Sequence, residues 1–253
     1  MSNKLRKLMV VLLMVTSGMV FGQNYVGWKI GPNIATLHGQ SVHNADFLFG
    51  FNTSVSYEYG FRDAISSGFG SNLSIQVDGA ITTKGAKADF MRILPHYDKV
   101  TRITTYGPDT TVFPGVTQSV IYLSLPVLLK YSFGDERSRF KPNVSFGIYA
   151  NGMFRLAIDG KTLRSLDGNE ANDKRLYKDD FMGIEYGLVG GVGFIQKIGG
   201  RRTRWAVTGD VRYDLGLSNM GEYRGKPDIP EEQLSDIKTS TIEISFGVRY
   251  QLQ

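Results

Sequence analysis

Residues 241–253 read TIEISFGVRYQLQ, and the even positions Ile242, Ile244, Phe246, Val248, Tyr250 and Leu252 are all apolar or aromatic. The odd positions Thr241, Glu243, Ser245, Gly247, Arg249 and Gln251 carry charges, a hydroxyl pair and a glycine. A β-strand sends alternate side chains to opposite faces, so this stretch is a strand with one greasy and one polar side. What each side faces is the question that fixes the fold.

The same alternation recurs at residues 25–34, 47–61, 73–82, 120–133, 143–155, 184–194 and 205–215. In 47–61, Phe47, Phe49, Phe51, Val55, Tyr57, Tyr59 and Phe61 oppose Asn52, Ser54, Ser56 and Glu58. In 205–215, Trp205, Val207, Val211, Tyr213 and Leu215 oppose Thr208, Asp210, Arg212 and Asp214. With the last stretch this makes eight strands, most near the roughly 9–11 residues that a tilted membrane strand needs. Their connections alternate in length. Segments 83–119, 156–183 and 216–238 are long and polar, whereas GDERSR (134–139) and KIGGRRT (197–203) are compact. An up-and-down barrel puts successive connections at opposite ends, and outer-membrane barrels keep the long ones outside and the short turns periplasmic.

A soluble barrel also has one apolar face, so the polar face must discriminate. It is rich in small residues, including Gly31, Gly50, Gly147, Gly187, Gly191, Gly193 and Gly247, as the narrow lumen of an eight-stranded barrel requires. The register also sends Lys29, Arg62, Lys130, Arg155, Arg212 and Arg249 inward with Glu58, Asp78, Glu185, Asp210, Asp214 and Glu243. A buried charge without a partner costs several kcal/mol, so a near-balance of signs is what a filled lumen would need. The reading is an all-β, eight-stranded antiparallel up-and-down transmembrane barrel with a lipid-facing exterior and this lumen charge network.

The rest of the composition agrees. The 253-residue chain has no cysteine and a net charge of +5, part of it in Lys4, Arg6 and Lys7, so a nucleic-acid surface is not expected. Those cations, the apolar run Leu8 to Val15 and Val20-Phe21-Gly22 read as a signal peptide over residues 1–22, leaving a barrel domain over 23–253.

Four segments resemble the PorT-like outer-membrane β-barrel family of Bacteroidota. GWKIGPNIATLHG (27–39) is similar to its opening strand, and LSIQVDGAITTKGAK (73–87) to its strand ending in a lysine–glycine turn, with Asp78 where glutamate is usual. VIYLSLPVLLKYSF (120–133) and FKPNVSFGIYANGMF (140–154) resemble the two strands that follow. The resemblance implies a barrel in the bacterial outer membrane and implies no activity.

Candidate chemistry is sparse. His38, His43 and His96 fall in expected outer loops, where His38 with Ser41 or His96 with Asp98 would be the pairs available to a lipid-modifying enzyme at the rim. Residues 159–180 fail the calcium-loop spacing, and GLVGGVG (187–193) continues as a strand instead of opening a phosphate loop. No catalytic, cofactor or metal residue is therefore expected. Aromatic and aliphatic residues within 83–119 and 156–183, such as Phe90, Tyr97, Tyr106, Leu166 and Tyr177, fit ordered extensions or contact with another outer-membrane protein, or equally a lid formed by packing against each other above the barrel. The functional expectation is a non-enzymatic structural or accessory subunit of a secretion or uptake complex, bathed in outer-membrane lipids including lipopolysaccharide. A small channel or ligand-binding barrel and a lipid-modifying enzyme are the alternatives.

Overall fold

The computed structural model describes residues 23–39, 42–61, 72–93, 96–97, 104–105, 110–134, 138–159, 161–162, 183–199, 203–220 and 237–252. The expected signal peptide and Arg62 lie outside them. The strands are β1 (Gln23–His38), β2 (Val42–Gly60), β3 (Leu73–Ile93), β4 (His96–Tyr97), β5 (Thr104–Thr105), β6 (Thr110–Ser132), β7 (Phe140–Ile158), β8 (Lys161–Thr162), β9 (Ile184–Lys197), β10 (Trp205–Gly216) and β11 (Lys238–Gln251). Eight of them are long, each pairs antiparallel with its neighbours in the chain, and β1 pairs with β11 from Tyr25↔Gln251 to His38↔Lys238. The sheet is thus a closed barrel with no free edge, the arrangement that satisfies every backbone group inside a bilayer.

Closure curls the sheet tightly, and glycines on the inner face permit it. A Cβ on Gly31 would sit 1.8 Å from the carbonyl oxygen of Ile244, and one on Gly147 1.9 Å from that of Val127. Only a residue without a side chain lets the neighbouring backbones approach so closely.

Outward residues form an apolar belt. On β6, Leu123, Leu125, Val127, Leu129, Tyr131 and Phe133 share this face. Ten residue steps at about 3.3 Å each, tilted by roughly 40°, give a belt of about 25 Å, the height of an outer-membrane barrel's apolar band. Trp28, Trp205 and Phe133 flank it at one end, and Phe47, Phe154 and Tyr186 at the other.

Above the belt the two faces exchange character. On β3 the inward residues run Ser74, Gln76, Asp78, Thr82, Lys84 and then Ala86 and Ala88, while the outward ones run Ile75, Val77, Ile81 and then Thr83, Lys87 and Asp89. There the surroundings outside the wall have changed from hydrocarbon to water. Strands β1, β2, β3, β6 and β7 continue past this level as an ordinary soluble β-structure with an apolar inside. Leu37, Val42, Ala86, Ala88, Val120, Tyr122 and Leu156 pack there with Met220 and Ile237, which flank the β10–β11 connection.

Two expectations are corrected. Most of the outer connection 83–119 is strand, since β3 runs to Ile93 and β6 starts at Thr110. The first outer connection is only residues 39–41, shorter than 61–72 at the opposite end, so the alternation of long outer and short inner connections does not extend to that pair. The strands overrun because their polar-outside, apolar-inside ends read as loop when only apolar-outside alternation is sought.

Arg155 is the second correction, for it is exposed outside the wall and not in the lumen. Tyr122 pairs with Met153 and Ile121 with Arg155, leaving Phe154 as the extra residue of a β-bulge. A bulge puts consecutive residues on one face and reverses parity beyond it. Phe154 and Arg155 both point out, and Leu156 points in.

Candidate functional site: a charged lumen under an apolar cap

The lumen is filled by three tiers of polar side chains. Nearest the compact turns, Glu58 on β2 receives Lys130 Nζ at 3.2 Å, Arg249 at 3.1 Å and the Ser74 hydroxyl at 3.0 Å. The Arg249 guanidinium also lies 4.1 Å from the centre of the Tyr25 ring. In the middle tier Arg212 donates to Asp78 at 2.6 Å and Lys29 to Asp210 at 2.5 Å. Gln76 links these tiers, donating to Asp78 at 2.7 Å and accepting from Lys130 at 3.3 Å.

The upper tier centres on Lys84, with Nζ 3.2 Å from Asp214, 3.5 Å from Glu185 and 4.3 Å from the centre of the Tyr149 ring. Glu185 also accepts from Tyr149 Oη at 2.7 Å, from Asn151 at 3.3 Å and from the Thr239 hydroxyl. Glu243 accepts from the Thr82 hydroxyl at 2.9 Å, and Thr82 accepts from Asn33 at 2.8 Å. Five cations (Lys29, Lys84, Lys130, Arg212, Arg249) thus meet six carboxylates (Glu58, Asp78, Glu185, Asp210, Asp214, Glu243) among the described residues. Parity gives this arrangement directly, because the inward positions of β1, β2, β3, β6, β9, β10 and β11 stack into rows around one axis.

Of the residues read from sequence as lumen charges, Lys29, Glu58, Asp78, Lys130, Glu185, Asp210, Arg212, Asp214, Glu243 and Arg249 come together here. Arg155 does not, for the reason given, and Arg62 is not described. Lys84 was missed because it follows the residues read as strand. Its parity with Gln76, Asp78 and Thr82 was the available signal. The cap was missed as well. Tyr122 Oη reaches Met220 Sδ at 3.7 Å, and a backbone bond of 2.7 Å from Met220 N to Ile237 O holds these two residues together in the outer mouth.

The histidines are dispersed. His38 ends β1, His43 lies in β2 and His96 in β4, all of them strand positions. His38 Nδ1 lies 3.3 Å from Ser240 Oγ on the outer wall, and the Tyr213 hydroxyl contacts the same Oγ at 3.2 Å. That set supplies an imidazole and a hydroxyl but no acid to orient the ring. Among the described residues no group of three or more His, Asp or Glu could hold a metal ion.

A family model described as "Outer membrane protein beta-barrel domain" matches residues 21–222. Among solved structures the chain is similar to Neisserial surface protein A, at 15% identity and a TM-score of 0.46, over 90% of this chain and 97% of that one. It is also similar to outer membrane protein OprG from Pseudomonas aeruginosa, at 11% identity and a TM-score of 0.44, over 93% and 99%. Outer Membrane Protein W of E. coli shares 15% identity at a TM-score of 0.38, over 92% and 98%. No curated protein matches the chain.

Proposed function

The chain belongs to the outer membrane protein β-barrel domain family, and from that premise we propose that it is a sealed, non-enzymatic barrel serving as a structural or accessory subunit of an outer-membrane complex. Its place in the bacterial outer membrane follows from the family and the closed eight-stranded wall. Secretion or uptake is the process proposed, with the PorT-like barrels of Bacteroidota as its kin. Membrane lipids, lipopolysaccharide among them in the outer leaflet, cover the apolar belt.

One observation carries this reading: among the described residues the axis of the barrel is occupied at the membrane level and at the outer mouth. Buried ion pairs fill the membrane-level lumen, and an apolar cluster stands in the outer mouth. With the axis filled, the outer surface is left as the working part. Its longest feature among the described residues is the β3–β6 hairpin, whose register continues to Ile93↔Thr110 beyond the apolar belt. This hairpin is the proposed contact for another outer-membrane protein.

The test is purification of an internally tagged copy, at native expression, from outer membranes in mild detergent. A variant in which residues 90–113 are replaced by a short turn is purified alongside. A stoichiometric partner that is lost from the variant is the expected result. A lone monomer in both preparations would sink the accessory reading.

The His38–Ser240 contact favours one second reading, a lipid-modifying site at the rim. Unchanged lipid A in cells carrying His38→Ala would remove it.

A further inference from the structure

The apolar belt is not uniform where the wall closes. At the seam between β1 and β11, toward the compact turns, it carries a trough of about 490 Å³ lined by Val26, Trp28, Val55, Trp205, Val248 and Tyr250. Two successive rows of the sheet account for its shape. One row runs Val55, Trp28, Val248 and Val207 across β2, β1, β11 and β10, and the next runs Tyr57, Val26, Tyr250 and Trp205. Val26 and Val248 therefore form a floor, with Trp28 on one side and Tyr250 with Trp205 on the other.

Both walls are fixed in place. The Trp28 indole N–H donates to Thr53 Oγ1 at 3.1 Å, and that hydroxyl donates to the Lys29 carbonyl at 3.1 Å. The Trp205 and Tyr250 rings lean on each other, with centres 4.9 Å apart. Hydrocarbon around the wall gives no hydrophobic force for filling the trough, so an occupant is held by van der Waals contact with a matching surface. A surface ordered beforehand loses little entropy when it is filled. Neighbouring strands lie about 4.8 Å apart, so a floor one valine wide suits a single extended hydrocarbon chain. A helix, about 10 Å across with its side chains, is too broad to enter. The volume lies within the roughly 300–1,000 Å³ of small-molecule sites.

We infer that the seam trough is a discrete binding site for one acyl chain of a phospholipid. The compact turns face the periplasm, so the lipid comes from the inner leaflet. This site rests on the reading of the belt as lipid-facing and adds one defined position to it.

Trp28 and Trp205 are the two tryptophans of the chain, so indole fluorescence reports on this trough alone. The full chain in detergent micelles is titrated with phosphatidylcholine brominated on its acyl chains, which quenches indole on contact. The Val26→Phe/Val248→Phe variant fills the floor, and Val127→Phe adds bulk to the belt on β6, across the barrel. Both are titrated alongside, with folding verified by the gel shift between boiled and unboiled samples. The expected quenching saturates near about one lipid per barrel in the native protein and in Val127→Phe, and needs about tenfold more lipid in the filled variant. Quenching that rises without saturation, or a filled variant that matches the native protein, overturns the discrete site and leaves the belt in lipid. Absence of quenching at any lipid content overturns the site and the lipid-facing belt together.

Discussion

Lys84 shows what a single inward charge does in this barrel. It is wholly buried between Asp214 and Glu185, and its ammonium is the cation within ion-pair distance of both. Lys84→Met keeps the volume but leaves two carboxylates facing each other in a low-dielectric tier, and removing one partner of a buried pair typically costs about 3–5 kcal/mol. A loss of that size in urea unfolding from micelles is expected, with part regained in Lys84→Met/Asp214→Asn. An unchanged midpoint for the single variant would mean that the tier is not a charge network. Above the membrane, Asp89 accepts from the Asn44 amide at 2.8 Å and from the Gly115 N–H at 2.6 Å. Those bonds, the Asn44 amide foremost, hold its carboxyl below the usual aspartate value. Because the folded-state value is the depressed one, the pinning of β2 and β6 to Asp89 is complete above the ordinary aspartate value near 3.9 and fades only as pH falls through the lower, folded value. The Asp89 carboxyl carbon followed by NMR should therefore titrate below a free aspartate, and Asn44→Ala should move it back up.

At the scale of the strand, parity is the information and bulges are where it is rewritten. The even and odd faces of β11 and the membrane part of β3, β6 and β10 are legible directly from sequence, since hydrocarbon tolerates one kind of side chain and a crowded lumen another. Beyond Phe154 the same rule assigns Arg155 to the wrong face, because nothing in the residue types of 150–156 marks an extra residue. The bulge makes an unusual prediction. Deleting Phe154 should preserve the faces of Arg155 and Leu156, since the extra residue is the one removed, and the protein should still insert and migrate as a folded barrel on an unboiled gel. Deleting Phe146, which pairs regularly with Leu129 and Gly190, should turn the remainder of β7 inside out and abolish that migration. Equal behaviour of the two deletions would show that the register slides freely and that the bulge has no such role.

For the molecule as a whole, strand number, closure and the greater part of the lumen were legible, because each follows from alternation repeated at nearly constant strand length. The apolar cap was not, because it depends on where the membrane ends. That boundary shows only as an exchange of polarity between faces, as on β3 from Ile81 outward to Lys87. It is the combination of cap and lumen that decides whether anything passes. An ion crossing the barrel must displace the apolar cluster around Tyr122 and Met220 and then three tiers in which Lys84, Arg212 and Lys130 are already engaged by carboxylates. Eight strands leave an interior only wide enough for side chains to fill. The native protein in planar bilayers is therefore expected to show no single-channel steps. The more telling variant is Met220→Gly/Ile237→Gly, which opens the cap but leaves the tiers in place. It should stay silent as well, because the membrane-level obstruction is the ion-pair lumen. Steps that appear only in this variant would make the cap a gate over a conducting path, and steady steps from the native protein would replace the sealed barrel with a channel.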